Sequence, residues 1–394
     1  MVRERSAKPL YVGSIPTRAS NFSSNLQTKR STLLPSPELT ISTWDRVSAQ
    51  QVIEWKRSKF WSDSGATRGP IIMPAVSVVS TVLNEVEDID RLVTSLMEQK
   101  FAPAEVIIVD GGSTDGTWEW LQAARTKYPK LIPIRDESCR LAVSPGPISR
   151  GRNVAIRAAT SDVVACADAG CSYESDWLQN LTVSILNGEA EYAVGGTCID
   201  LEDRTVWDIA SAPFFGVKLS REAKTKSCAA RSMAFRKEIW QRVGGFPEDI
   251  FFGEDTVFDL KVRAIVTPAF VDRAKAFYRP SHTLRSALRQ LGSYSISDGI
   301  SGARPARLFR NLSRCVVEIA ATVALIRTPI PLLCVLVLEI YFAFRLDWRS
   351  LRGASLRTLA ARLLFSLMVP WVAVWNQIMG SITKEFRLNR QNAT

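Results

Sequence analysis

The seven cysteines of this 394-residue chain include no Cys-x-x-Cys pair and show no dense, regular spacing. This absence excludes a disulfide scaffold and a zinc module, and it is typical of a protein from a reducing compartment. No apolar run follows the first basic residues, so no signal peptide is predicted. Hydrophobic residues make up 46% of the chain and charged residues 23%, which excludes global disorder and allows a sizeable core.

The formal net charge is +11, and it is concentrated at the two ends of the chain. Residues 1–70 hold 11 basic against 5 acidic residues, and residues 304–394 hold 13 against 4. Residues 71–303 hold 26 basic against 30 acidic residues, so the central region is slightly acidic. Such a distribution is not that of a protein that reads phosphate backbones, and no nucleic-acid partner is predicted.

The composition divides the chain into four segments. Residues 1–42 are rich in Ser, Thr, Arg and Pro without periodicity and are predicted to be disordered. Residues 43–73 form an N-terminal extension, residues 74–303 a catalytic domain and residues 304–394 a helical tail. The Gly13–Thr17 stretch can be encoded by a common tRNA gene sequence, which raises the hypothesis that translation starts further downstream.

Strand and helix signals alternate after residue 74, which predicts an α/β fold. Buried β-branched or apolar runs at 75–82, 105–109 and 162–167 read as strands joined through helices. Short connections of this kind favour a largely parallel sheet covered by helices on both faces. Ligands bind at the carboxyl ends of the strands in such sheets, and Asp110 and Asp168 both lie at strand ends.

Each acidic residue near these strand ends allows two interpretations. Asp110 either completes a tight turn with the glycines that follow it or accepts hydrogen bonds from a nucleotide base or ribose. Asp168 can supply one carboxylate to an Mg²⁺ or Mn²⁺ ion that bridges a diphosphate. Glu254 and Asp255 open a predicted helix, where they either cap its first turn or provide a general base for an acceptor hydroxyl.

Seven short motifs follow one another in an order and spacing that resemble family-2 glycosyltransferases of the GT-A fold. They are Asn84-Glu85, Asp110-Gly-Gly-Ser-Thr-Asp-Gly-Thr117, Arg150-Gly-Arg152-Asn153, Asp168-Ala-Gly-Cys171, Ala230-Arg231-Ser-Met-Ala-Phe-Arg236, Val243-Gly-Gly-Phe-Pro247 and Gly253-Glu254-Asp255. The resemblance covers about residues 74–300 and is closest to bacterial membrane-associated enzymes of polysaccharide assembly.

The resemblance implies a GT-A sheet with flanking helices and inverting transfer of a sugar from a nucleotide-diphosphate donor. Four residues are then expected to bind the donor nucleotide: Thr81, Glu85, Asp110 and Arg152. Asp168 would bind a divalent cation that neutralises the diphosphate leaving group. Asp255 would act as general base, with Glu254 beside it shaping the acceptor site. A metal and a base of this kind agree with the chemistry of the transfer.

The sequence also departs from the family pattern. Many relatives carry Asp-x-Asp where this chain has Asp168-Ala-Gly170, so one expected metal ligand is absent, although a subset carries Asp-Ala-Gly-Cys. The Gln-x-x-Arg-Trp signature of processive synthases is missing, which favours addition of one sugar per encounter. His282, the only histidine, is interpreted as a packed or surface residue in preference to a metal ligand. Arg231 is interpreted either as a diphosphate contact or as a structural arginine.

The tail combines apolar runs with arginines. The runs at 315–326 and 330–344 are shorter than the roughly 20 residues of a membrane-spanning helix, whereas 359–382 is long enough. A buried helical subdomain is the alternative. Because arginines lie between the apolar runs, two simple crossings are disfavoured and a re-entrant or interfacial arrangement is expected. The basic ends would be attracted to anionic lipid.

The sequence therefore predicts a glycosyltransferase at the inner face of the cell membrane, with its catalytic domain in the cytoplasm. Its acceptor would be a lipid-linked or growing cell-surface glycan. Two alternatives remain open: a catalytically inactive GT-A-like scaffold at the membrane, and a nucleotidyltransferase on the same type of sheet. The second would need more basic residues near the first strand than the chain has there.

Overall fold

A computed structural model describes most of the chain after residue 74. The described residues are 75–140, 142–200, 204–217, 219, 229–280, 282–302, 304–324, 330–344 and 354–391. The predictions made for residues 1–73, and for the arginines at 345, 349 and 352 in the tail, fall outside these ranges.

Eight strands form one mixed sheet. They are β1 (Val76–Val82), β2 (Glu105–Asp110), β3 (Leu131–Arg135), β4 (Val163–Cys166), β5 (Cys171–Tyr173), β6 (Tyr192–Ile199), β7 (Met233–Arg236) and β8 (Ala269–Tyr278). Their order is β3-β2-β1-β4-β7-β6-β8-β5. The first four are parallel to one another, β7 is antiparallel to β4 and β6, and β8 pairs parallel with β6 and antiparallel with β5.

Eleven helices lie in the described part of the chain. They are α1 (Ile89–Met97), α2 (Thr117–Lys127), α3 (Pro147–Ala158), α4 (Trp177–Leu186), α5 (Val206–Ser211), α6 (Lys237–Arg242), α7 (Glu254–Arg263), α8 (Leu284–Ser301), α9 (Pro305–Ala324), α10 (Ile330–Phe344) and α11 (Leu356–Gln391). Apolar residues of α1 recur at helical spacing, and four of them (Ile89, Leu92, Val93 and Leu96) are buried.

The hydrophobic core lies on both faces of the sheet. One face packs against α1, α2, α4 and α8, and it also takes Phe365 from α11. The other face packs against α3, α6 and α7, with Phe246 and Phe258 stacked at a centroid distance of 4.1 Å. Every residue of β1 and β2 is buried because both faces of these central strands are covered, which explains their nearly unbroken apolar runs.

The long helix α11 packs along α8 through glycines. A side chain at Gly380 would place its Cβ 2.1 Å from the carbonyl oxygen of Ile296, and one at Gly299 would lie 2.1 Å from that of Gln377. The two backbones therefore touch. Among the described helices, one is long and apolar enough to cross a membrane, at Leu356–Thr383, and 44% of its most apolar stretch is buried within the protein.

Candidate active site

Asp110 lies at the carboxyl end of β2 and organises the loop that follows. Its Oδ1 atom accepts hydrogen bonds from the backbone N–H groups of Gly112 and Ser113, at 2.6 and 2.7 Å. Gly112 has φ = 90°, a left-handed conformation that favours glycine. The Oδ2 atom is buried and has no hydrogen-bond partner within the described structure. Asp110 thus takes the turn role, and its contact with a nucleotide stays a prediction.

Thr81 and Glu85 lie next to Asp110 at the same edge of the sheet. The parallel register of β1 and β2 pairs Thr81 with Val109 and Val82 with Asp110. A Cβ on Gly151 would lie 2.4 Å from Thr81 Oγ1, so α3 packs closely against β1 at this residue. Glu85 is buried, and its N–H donates to Thr117 Oγ1 at 2.8 Å. The structure brings these residues together as the sequence predicted, while their contact with a nucleotide stays a prediction.

Arg152 on α3 bridges two carboxylates. Its Nη2 atom lies 2.6 Å from Asp168 Oδ1, and its Nη1 atom lies 2.5 Å from Glu254 Oε1. All three side chains are buried, and the guanidinium lies over the Phe246 ring at 5.5 Å. Removing one member of a buried ion pair usually destabilises a protein by about 3–5 kcal/mol. The structure shows this bridge, whereas the contact of Arg152 with the base and ribose remains a prediction.

Asp255 lies in the first turn of α7, beside Glu254. Its Oδ2 atom accepts from the N–H of Ala230 at 3.2 Å, and its Oδ1 atom accepts from the N–H of Thr256 at 2.6 Å. Burial raises the pKa of Asp255 above its ordinary value, with Arg152 acting in the opposite direction. Burial also raises the pKa of Glu254 to about 7, and the charge of Asp255 adds to that rise. Both carboxyl groups therefore hold a proton more tightly than exposed acids do.

The raised pKa of Glu254 predicts a pH-dependent stability. The folded protein holds this proton more tightly than the unfolded chain, whose carboxyl titrates near its ordinary value of 4.5. The contribution of Glu254 to the free energy of unfolding therefore falls as the pH rises from about 4.5 through about 7. We expect Glu254→Gln to flatten the decline of Tm over this range. Tm measured against pH tests this, and an unchanged slope would contradict it.

Glu248→Gln is the matched control for that measurement. Glu248 also pairs with arginine, at 3.7 Å from Arg150, but its side chain is 35% exposed. Solvent screens such a pair. For Glu248→Gln, the slope of Tm against pH should therefore equal that of the unmodified protein.

Asp168 is the residue predicted to hold a divalent cation, and this role stays a prediction; its Oδ1 atom is paired with Arg152. No group of three or more His, Cys, Asp or Glu side chains in the described residues could form a metal site alone. A single carboxylate fits Mg²⁺ or Mn²⁺ when substrate phosphates and water complete the coordination. Gly170 takes the place of the second aspartate of many relatives and has φ = 68°, which favours glycine.

Two residues that sequence reasoning left undecided prove to be buried. His282 is packed inside the protein, with its Nδ1 atom 3.0 Å from Asp208 Oδ1 and its Nε2 atom hydrogen-bonded to Gln290. The packed interpretation of His282 is therefore confirmed. Arg231 is also buried, with its guanidinium 4.6 Å from the Tyr278 ring centroid.

Sequence reasoning missed Asp208 and Tyr173. Asp208 forms a capping box with Thr205 at the start of α5, and the Thr-x-x-Asp spacing could have revealed it. Tyr173 accepts a hydrogen bond from the N–H of Asp168 at 2.9 Å. No local sequence pattern predicts this contact, because the position of the tyrosine hydroxyl depends on the pairing of β5 with β8.

Residues 77–244 match the family model described as glycosyl transferase family 2. Glycosyltransferase AglE of Haloferax volcanii is 28% identical over 196 residues, which is 46% of this chain and 59% of that protein. Succinoglycan biosynthesis protein ExoA of Rhizobium meliloti is 28% identical over 199 residues, which is 47% of this chain and 57% of that protein. The matched region thus spans less than two thirds of these relatives.

Solved structures that align with this chain include a mannosyltransferase from Pyrobaculum calidifontis in complex with GDP-Man and Mn²⁺. It is 18% identical, with a TM-score of 0.45, and the match covers 85% of this chain and 94% of that one. TarS of S. aureus in complex with UDP-GlcNAc is 16% identical, with a TM-score of 0.41, and the match covers 75% and 90% of the two chains. The family match and the mixed sheet confirm the fold class predicted from the sequence.

Proposed function

Because the chain carries a family-2 glycosyltransferase domain, we propose that it transfers one sugar, with inversion, from a nucleotide-diphosphate donor to a hydroxyl of its acceptor. One observation carries this proposal. The strand-end carboxylate Asp168 is linked through buried Arg152 to Glu254, whose neighbour Asp255 is the proposed general base. This bridge supports the proposal, because the residues assigned to the leaving group and to proton removal are neighbours.

The proposed mechanism assigns one task to each of these groups. In this proposal the Oδ2 atom of Asp110 accepts a hydrogen bond from the nucleoside, and Asp168 would hold a divalent cation. Such a cation, when bound, would supply positive charge to the diphosphate. Asp255 takes the proton of the acceptor hydroxyl while the oxygen attacks the anomeric carbon, and the bond to the diphosphate breaks on the opposite side. Arg152 keeps Asp168 and Glu254 in place through its two short contacts.

Asp110→Asn tests the donor site. Asparagine keeps one oxygen for the N–H groups of Gly112 and Ser113, but it replaces the unpartnered Oδ2 with an amide that cannot accept. A hydrogen bond to a charged group contributes about 1.5–3 kcal/mol, so we expect the Kd of the donor nucleotide to rise about 10- to 100-fold. Titration calorimetry with UDP-, GDP- and dTDP-sugars, each with and without Mn²⁺, measures this change.

Asp115→Asn provides the control on the same loop. Asp115 accepts hydrogen bonds from Val86 N–H at 3.1 Å and from the Thr117 hydroxyl at 2.6 Å, so its carboxylate already has partners. The Kd of the donor nucleotide for the Asp115→Asn variant should stay close to that for the unmodified protein. An Asp110→Asn protein with the original Kd would contradict the nucleoside contact. A folded protein that binds no nucleotide sugar would favour the inactive scaffold.

We also propose that the tail attaches the enzyme to the inner face of the cell membrane, where it meets a lipid-linked or growing glycan. The tail buries an ion pair and exposes large apolar side chains. Buried Arg314 on α9 pairs with buried Glu339 on α10, and its Nη2 atom donates to the carbonyl oxygen of Ser366 on α11 at 2.9 Å. Large apolar side chains of the same helices are exposed: Phe309, Leu312, Val316, Ile319, Val323, Val337, Tyr341, Trp371 and Trp375.

A charge on the exposed face of α9 should weaken lipid binding. Val316 is 56% exposed, and Val316→Glu is expected to lower the fraction of protein that sediments with phosphatidylglycerol vesicles. Val183→Glu is the control, because Val183 is 37% exposed on α4 of the catalytic body. Equal sedimentation of the two variants would argue against a lipid-facing tail and for a buried helical subdomain.

A further inference from the structure

Arg304 is a buried arginine in the short connection between α8 and α9, at the start of the tail. Its Nη1 atom lies 3.6 Å from Asp298 Oδ1, near the end of α8. Its carbonyl oxygen accepts from Gln377 Nε2 on α11 at 3.4 Å. Helices α8 and α11 therefore fix both the side chain and the main chain of this residue.

The Arg304 guanidinium also contacts α7, the helix that begins with Glu254 and Asp255. Its Nη2 atom donates to Thr256 Oγ1 at 2.8 Å. Thr256 is buried as well, and it directly follows the proposed general base in the sequence. A residue at the start of the tail thus contacts the first turn of the helix that carries the base.

Thr256 links Arg304 to the Asp255 carboxylate. The Thr256 N–H donates to Asp255 Oδ1 at 2.6 Å, and its hydroxyl oxygen lies 3.5 Å from the same atom. Because this hydroxyl oxygen accepts from Arg304, its own hydrogen can point to the carboxylate. Asp255 Oδ2 accepts instead from the N–H of Ala230, at 3.2 Å. One oxygen of the proposed base is therefore held from the side of the tail.

Charge effects agree with these contacts. Burial lowers the pKa of the Arg304 guanidinium, and the negative charges of Asp298 and Asp255 act in the opposite direction. Asp298 has a second partner, Arg307, whose Nη1 atom lies 2.6 Å from Asp298 Oδ2. Loss of the Arg304 side chain would therefore leave Asp298 paired, so the effect on α7 can be measured in a folded protein.

We propose that Arg304 is a positioning residue for the transfer reaction, and that it acts through Thr256 to fix the orientation of the Asp255 carboxylate. This inference rests on the proposed function and deepens it, because it makes the start of the tail a part of the catalytic arrangement. A general base must lie within hydrogen-bond reach of the proton that it takes. A displacement of about 1 Å can lower a rate about 100-fold.

Arg304→Met tests this role in the full-length protein in detergent. Methionine keeps a long flexible side chain but has neither the charge nor the donors of arginine. Release of UDP, GDP or dTDP from the corresponding nucleotide sugars with Mn²⁺ gives kcat, and titration calorimetry gives the donor Kd. We expect kcat to fall about 10- to 100-fold while Kd stays within about two-fold. Arg304→Lys keeps the charge and a donor, so it should recover part of the lost kcat.

Arg307→Met is the matched control. Arg307 pairs with the same aspartate from α9, and its side chain is 13% exposed against 8% for Arg304. Its loss should lower Tm without lowering kcat per folded molecule. If Arg304→Met gave this same pattern, its role would be structural only and the inference would be wrong.

A double-mutant cycle with Thr256 tests the link itself. Thr256→Val removes the hydroxyl and should lower kcat to a similar extent as Arg304→Met, whereas Thr256→Ser restores the hydroxyl and should recover most of the loss. The protein with both Thr256→Val and Arg304→Met should lose no more activity than either single variant, because both changes break one link. Losses that multiply in the double variant would show that the two residues act independently, which overturns the inference.

The outcomes separate this inference from the proposed function. If the unmodified protein releases nucleotide, Asp255→Asn does not and Arg304→Met keeps its kcat, the positioning role is wrong and the general base stands. If the folded protein releases no nucleotide from any donor, both proposals fail together.

Discussion

Asp255→Asn is expected to lower kcat by about 10²- to 10⁴-fold while the Kd of the donor nucleotide stays within about two-fold, the range for losing a general base. The two side chains are nearly the same size, so the packing around α7 is kept. Asparagine cannot take the proton of the acceptor hydroxyl. In the unmodified protein, the N–H of Ala230 holds the Oδ2 atom of Asp255 in place. Transfer to water and to acceptor should fall together.

The pH dependence of kcat/KM gives the same residue a second test. Burial raises the pKa of Asp255, so the carboxylate is a stronger base than an exposed aspartate. The rate should rise with pH as this group loses its proton, and the rising limb should disappear in Asp255→Asn. A variant that keeps both kcat and the rising limb would remove Asp255 from its proposed role.

Asp259→Asn is the matched control, one helical turn further along α7. Asp259 is equally buried, but its Oδ1 atom accepts from the Tyr192 hydroxyl at 2.8 Å and from Arg263 Nε at 2.7 Å. These contacts are structural. The variant should therefore lower Tm without a selective loss of kcat per folded molecule.

Gly380→Ala is expected to have the second large effect, on stability and activity together. Its Cβ would lie 2.1 Å from the carbonyl oxygen of Ile296, so α8 and α11 must separate. Overpacking of this kind destabilises by about 1–3 kcal/mol or more, even though alanine favours the helix. Gly299→Ala should behave in the same way, because its Cβ would meet Gln377 backbone at 2.1 Å.

Activity should fall as well because α8 and α11 hold the start of α7, where Asp255 lies. Ser297 Oγ on α8 accepts from the N–H of Phe252 at 3.2 Å. Gln377 on α11 donates to the carbonyl oxygen of Arg304 at 3.4 Å, and Arg304 Nη2 donates to Thr256 Oγ1 at 2.8 Å. Separation of the helices would therefore move the neighbours of the proposed base.

Gly292→Ala is the control for this contact. Its Cβ would meet only the side chain of Asn376, at 3.2 Å, and a side chain can shift. Alanine also favours the helix over glycine by about 1 kcal/mol, so Tm should stay level or rise. Measurements of thermal unfolding and kcat for Gly380→Ala, Gly299→Ala and Gly292→Ala test this prediction. A Gly380→Ala protein as stable and active as Gly292→Ala would show that the close helix contact does not matter.

The sequence predicted the part of the fold that depends on local pattern. Apolar runs located β1, β2 and β4 within one residue of their observed bounds. The same runs placed Asp110 and Asp168 at strand ends, and the parallel pairing of β1 with β2 and β4 puts those ends at one edge. The antiparallel half of the sheet was less visible, because β5 and β7 are only three and four residues long.

What the sequence by itself determined was the type of fold and which acids lie at strand ends and at the start of a helix, because burial and turn chemistry affect the neighbouring residues in the sequence. Only the tertiary structure decided that Arg152 bridges Asp168 and Glu254, which lie 16 and 102 positions away from it. The same holds for the tail, since apolar residues that face a core and those that face outward look alike in sequence. Burial of Phe365 and exposure of Trp375 on one helix depend on which segments meet, and this follows from packing over the whole chain.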